Sequence, residues 1–222
     1  MLVLKLMIFF NFSVMNLSKF LLIDAAFVIA VIPLLFLLQS KNKKSPIIRS
    51  SKKEDLLEKT SINLPDKEKL LELEKLASSQ GSGIEFDSLI GNWKFVTVWK
   101  EDTDKEDSVF SSLLRVFAAN LELKKSLSID QQLKFSITAS IQFGIVSIEF
   151  SGNGYLKGHQ PCLPFFLNII ELKSGSRILL SKSLKEPLEK EKSFFALIAS
   201  GEDGSWLSAR GQGGALILWL KD

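Results

Sequence analysis

His159 and Cys162 are the chain's only histidine and only cysteine. They stand three apart in Gly158-His159-Gln160-Pro161-Cys162-Leu163-Pro164. An imidazole and a thiolate at that spacing are two potential metal ligands, whereas a structural zinc takes four. The same pair would serve as nucleophile and base only if the two touch and a third group orients the imidazole. The flanking Pro161 and Pro164 argue for a stiff loop instead. Acids cluster at Glu101, Asp102, Asp104, Glu106, Asp107, Glu202 and Asp203. Such polar runs solvate a surface, and general acid–base work needs two groups set across a pocket. The reading is therefore a chain with no catalytic residue, no metal and no cofactor. A lone cysteine also excludes an internal disulfide and fits a reducing compartment.

The remaining chemistry is apolar. There are 17 phenylalanines against a single tyrosine. Phe135, Phe143, Phe150, Phe165 and Phe194 are the candidates for lining a hydrophobic cavity, with Phe166 and Phe195 beside them. Packing of an ordinary core explains the same residues, so a hollow interior and a filled one both stay open.

The elements that would position them are mostly strands. Leu133 to Phe143 alternates apolar and polar for eleven residues, giving one buried and one watered face. At Gly144 the phase flips, which predicts a bulge or tight turn there. Ser151-Gly152-Asn153-Gly154 reads as a further turn. Strands are expected at 93–99, 146–150, 165–172, 177–183, 193–199, 206–210 and 215–220. A short helix follows the first of them, with Val109, Phe110, Leu113, Leu114 and Phe117 on one face. Eight or nine strands joined by turns predict a mainly β fold, an antiparallel barrel over 84–222, with a two-sheet sandwich as the rival. The Trp-bearing first and last strands suit closure of the one on the other.

Ahead of this domain lies a different kind of sequence. Residues 20–38 are apolar except for Asp24 and include Pro33. A helix crosses a bilayer with about 20 apolar residues, so 1–38 is read as a hydrophobic region with a transmembrane anchor. No small-residue cleavage site follows Leu38, which favours an anchor over a signal peptide. Asp24 is close enough to the start to reach the headgroups. Residues 39–63 read as a flexible, basic linker, in which Lys41, Lys43, Lys44, Arg49, Lys52 and Lys53 fall between Gln39 and Lys53 with no acid in that stretch. Such a cluster stays on the cytoplasmic or stromal side and attracts anionic lipid. An amphipathic helix is expected over 64–80, with Leu70, Leu73, Leu76 and Ala77 recurring every three or four residues. A net charge of +3 is too small to argue for nucleic acid.

Two motifs carry a resemblance. Leu89-Ile90-Gly91-Asn92-Trp93 opens the β domain, and Ala209-Arg210-Gly211-Gln212-Gly213-Gly214-Ala215-Leu216 leads into its last strand. At both, the chain resembles, distantly, the plastid lipid-associated proteins or fibrillins, a lipocalin-like family. It departs from their pattern at Gly204-Ser205-Trp206-Leu207 and at Val98-Trp99. The resemblance implies non-catalytic binding of a lipid, quinone or carotenoid near photosynthetic membranes. It also implies barrel closure by Arg210 over the ring of Trp93, a cation–π contact worth about 0.5 to 2 kcal/mol. The leading expectation is thus a membrane-tethered domain with membrane lipid and a hydrophobic small molecule as partners. The alternative is a scaffold for a membrane protein complex, with a filled barrel.

Overall fold

The computed structural model describes residues 63–100, 106–126, 134–158, 161–188 and 192–222. All of them belong to the unit Ser61–Asp222. The expected transmembrane anchor and basic linker lie outside the described residues, as do Glu101, Asp102, Asp104, Leu133 and His159. Among the described residues no helix is long and apolar enough to cross a membrane.

Nine strands form one antiparallel sheet: β1 (Gly91–Trp99), β2 (Asn120–Ser126), β3 (Lys134–Phe143), β4 (Val146–Tyr155), β5 (Cys162–Ser174), β6 (Arg177–Ser183), β7 (Ser193–Ser200), β8 (Trp206–Gly211) and β9 (Leu216–Lys221). Their order is β4-β3-β2-β1-β9-β8-β7-β5-β6, and β4 also pairs with β5. All the strands but β6 therefore make a closed cycle. The first strand meets the last, from Trp93 opposite Lys221 to Trp99 opposite Leu216.

Alternation sets the inner face. On β3, Phe135, Ile137 and Ala139 are buried and lie opposite Gly154, Gly152 and Phe150 of β4. Large side chains on β3 thus fall against glycines on β4. A Cβ at Gly154 would lie 2.6 Å from Ile137 Cδ1 and 2.9 Å from the Pro164 carbonyl, so that strand comes as close as only glycine allows. The turn expected at 151–154 is accordingly not a turn. Ser151 to Tyr155 continues β4, and its glycines answer a packing demand. The turn at Gly144 is real, with φ +60° at the first of two loop residues between Phe143 and Val146.

β5 begins at Cys162, three residues before the expected strand, and carries Pro164 inside it. A bulge near Asn168 shifts its phase, so Leu163, Phe165 and Leu167 before it and Ile170 after it share the buried face. That bulge also divides its neighbours. Residues 162–165 pair with β7 and 169–174 pair with β6, two strands that lie along the same side of β5. β2 was not expected from the sequence, because only Leu121 and Leu123 alternate within it.

Two helices accompany the sheet. Helix α1 (Lys67–Gln80) is capped at Asp66, whose carboxylate accepts from the Lys69 amide. Its fully buried Leu70 packs on the outer face of the ring against Val96, Ile198, Leu216, Leu218 and Leu220, with Leu73 beside it. Leu76 is exposed, so the buried stripe is narrower than the periodicity suggests. Helix α2 (Ser108–Val116) is capped by Asp107 and buries Phe110 and Leu114, while Val109 faces solvent. It ends with Ala118 at φ +45°, and the amides of Ala118 and Ala119 return to the carbonyls of Arg115 and Leu114. This is a glycine-type helix stop built on alanine.

Candidate functional site

One end of the ring is sealed. The short 3-10 turn Asp87–Leu89 lies across it, and the Trp93 indole N–H donates to the Leu89 carbonyl at 2.8 Å. Trp93 is wholly buried. Phe86 stacks on Phe135 with ring centroids 4.1 Å apart. The ammonium of Lys221 stands 5.0 Å from the Trp93 ring centre and donates to the Ser88 carbonyl at 3.3 Å.

The cation on Trp93 is therefore Lys221 and not Arg210. Register explains the correction. Trp93 lies opposite Lys221, whereas Arg210 lies opposite Leu216 on the next strand pair, five residues farther along. At about 3.4 Å per residue that offset is about 17 Å. Arg210 points outward instead, where its guanidinium grips both carboxylate oxygens of Glu74 on α1 and donates to the Gly214 carbonyl.

Above the seal the interior is filled. Leu123, Phe135, Ile137, Leu163, Leu207 and Ile217 are each at most 2% exposed. Phe165 stacks on Phe195 at 4.9 Å, and Phe195 meets Trp219 edge-on at 5.5 Å. Side chains this completely covered border no space that a water molecule could enter. Phe135, Phe150 and Phe165 thus face inward as expected, as members of the packed core. Phe194 does not face inward. It is half-buried, and its neighbour Phe195 takes the interior position. Sequence reasoning had no means of choosing between adjacent phenylalanines, because β7 is apolar on both faces where α1 covers it.

At the opposite end, exposure rises along the inner face. Ile141 and Ile148 are nearly buried, whereas Phe143, Val146 and Leu172 are half-buried. Leu180 on β6, opposite Leu172, is 46% exposed. Phe117, just beyond α2, leans on Phe143 at 5.7 Å. Helix α2 itself replaces a strand at this end. β1 pairs with β2 only through Lys94. Beyond it, Phe95 donates to the Ala119 carbonyl, Val98 N donates to Ser111 Oγ at 3.1 Å, and Arg115 donates to the Val96 carbonyl at 2.8 Å. Thr97 and Ser111 are buried there, and the Thr97 hydroxyl donates to Glu106 at 2.7 Å. Arg115 lies 3.5 Å from the same carboxylate. These polar groups satisfy one another and the backbone, which is the work of a structural cluster.

Those of the residues first considered for chemistry that are described are not gathered into one site. Cys162 shares a bridge with Lys157 and lies opposite Ala196, one residue out of phase with inward Leu163. Burial pushes its thiol above the ordinary value, and nearby Lys157 only partly offsets this. A thiol so placed is a poor nucleophile at neutral pH. Asp203 accepts from Ser205 in a turn, and those bonds hold its carboxyl below the usual range. Among the described residues no three His, Cys, Asp or Glu side chains come together as a metal site. What the arrangement offers is an apolar end, and the signal that marks it is the pairing of Leu172 with Leu180 across the β5–β6 hairpin. No family model, curated protein or solved structure matches the chain.

Proposed function

We propose that this is a membrane-tethered, non-catalytic domain that takes the apolar part of a hydrophobic molecule at the open end of its ring. The ring is read as a small lipocalin-like barrel whose lower half is core. One observation carries the reading. The inner face grades from full burial at Trp93 and Phe135 to half-burial at Phe143, Val146 and Leu172. A shallow site of this kind suits the end of an acyl or isoprenoid chain, as in a lipid, quinone or carotenoid, better than a whole enclosed molecule. The tether rests on the sequence of residues 20–38. It would keep the open end near a membrane reservoir and raise the effective ligand concentration.

Native mass spectrometry of the full chain from a lipid-rich host, with organic extraction, tests this. A stoichiometric hydrophobic molecule is expected, lost in Leu172→Arg at the open end and kept in Phe165→Leu in the core. A chain that carries nothing, or whose cargo ignores Leu172→Arg, would refute the reading.

A further inference from the structure

We propose that Asn153 is a spontaneous modification site which the fold holds closed, and that its modification marks a chain irreversibly once β4 has opened. Asn153 is the only asparagine of the chain that is followed by glycine. In that dipeptide the Gly154 amide nitrogen can attack the Asn153 side-chain carbonyl carbon. A C–N bond forms, ammonia leaves carrying the Gly154 amide proton, and a five-membered succinimide results. Solvent water then opens the ring at one carbonyl or the other, giving aspartate or isoaspartate. The net change is amide plus water to carboxylic acid plus ammonia, with nothing oxidised or reduced. Glycine favours the first step, because a Cβ on the residue that supplies the nitrogen hinders the attack. Here packing forbids that Cβ, which would lie 2.6 Å from Ile137 Cδ1 and 2.9 Å from the Pro164 carbonyl oxygen. The close crossing made by β4 thus builds the vulnerable bond into the core.

The same strand prevents the reaction. Asn153 faces solvent, so water reaches its side chain, but its backbone is fixed. Asn153 lies opposite Ser136 on one side and Phe166 on the other, and Gly154 lies opposite Phe135 and Phe165. A strand flanked on both sides turns each N–H to one neighbour or the other. Neither Gly152 nor Gly154 has a positive φ, so this is extended chain and not the turn in which Asn-Gly ordinarily stands. Ring closure swings the Gly154 nitrogen towards the side-chain carbonyl, which takes ψ of Asn153 out of the extended region. That motion pulls Gly154 from between Phe135 and Phe165, which are 0% and 3% exposed. The two products then part ways. Aspartate keeps the length of the main chain and an exposed position. Isoaspartate puts an extra methylene into the main chain, so Gly154 no longer meets Phe135 and Phe165 in register at a crossing that has no slack. The inference goes beyond the ligand reading and does not depend on it.

Peptide mass spectrometry of the full chain in mild detergent tests the idea, with electron-transfer fragmentation telling isoaspartate from aspartate. In mildly alkaline buffer Asn153 is expected to deamidate at least about a hundredfold more slowly in the folded chain than in urea, because a core strand opens near the global limit. Ile137→Val loosens the Gly154 crossing. It is expected to raise the folded-state rate about twofold to tenfold and to leave the rate in urea unchanged. When chains aged in urea are diluted, the folded fraction is expected to hold unmodified and aspartate chains and to exclude isoaspartate ones. Asn153→Asp is expected to refold like the parent chain, which separates the inserted methylene from the added charge. Equal deamidation in buffer and in urea would overturn the protection by the strand. Isoaspartate chains that refold as readily as aspartate ones would overturn the irreversible mark, as would an Asn153→Asp chain that fails to refold.

Discussion

Replacing Arg210 by methionine keeps the aliphatic stem but removes the fork that holds Glu74 and the Gly214 carbonyl. Both partners of the ion pair are 26% exposed. Fully exposed pairs contribute at most about 1 kcal/mol, and breaking a buried pair costs about 3 to 5 kcal/mol. A quarter-exposed, two-pronged pair falls between, so Arg210→Met and Glu74→Gln should each cost about 2 kcal/mol. Water rehydrates part of the abandoned charge, which leaves a coupling of about 1 to 1.5 kcal/mol in the double-mutant cycle. Urea denaturation of the full chain reads it through tryptophan fluorescence and sheet dichroism. Trp99 and Trp206 pack beneath α1, and Trp93 and Trp219 lie in the ring, so undocking of the helix and loss of the sheet are separable. Coupling within about 0.3 kcal/mol of zero would refute the argument from geometry. Coupling of Arg210 to Trp93→Phe instead would refute the register itself.

Trp93→Phe deletes the indole donor to the Leu89 carbonyl at the sealed end and leaves a small void; denaturation should show a loss of about 2 to 4 kcal/mol. Ala118→Gly relieves a left-handed alanine and should raise stability by about 0.5 to 1 kcal/mol in the same assay, after the glycine's own entropy is counted. Cys162 should react with iodoacetamide more slowly than a free thiol, with a pH midpoint above the ordinary one. Because its folded-state pKa is raised, the unfolded chain loses its proton first, so the thiol's contribution to stability is present at neutral pH and falls as pH climbs through the ordinary thiol range. An alkylation midpoint at or below the ordinary value would contradict the burial at that site.

Strands with one wet face were plain in the sequence. β3 shows this best, because its outer side chains face solvent and its inner ones pack, so polarity records orientation. The pairing of the first and last strands was also readable from their tryptophans. Where both faces are covered, the record disappears. β7 is apolar inside and apolar beneath α1, and Phe194 could not be told from Phe195. β2 hides because its second half carries Lys124, Lys125 and Ser126 at an end of the sheet. Gly152 and Gly154 misled for another reason. The same lack of a Cβ serves a turn and a close strand crossing, and only the neighbours decide which. The partner of Arg210 depends on register, and one strand's offset separates a ring cation from a helix clasp.

The meeting of β1 with β9 also sets when this domain can become whole. More than a hundred residues separate the paired segments, and such distant pairing is slow because loop closure must come before any reward. A ribosome making the chain delivers β1 early and its partner late, so one margin of β1 waits unclosed through most of synthesis. The other margin does not wait. Ser111 and Arg115 arrive within twenty residues and take up the Val98 amide and the Val96 carbonyl. Helix α2 thus covers that margin of β1 early, with the same bonds that hold it in the finished fold. Variants that weaken it should raise the share of chains lost to aggregation during translation more than they lower the stability of chains that finish.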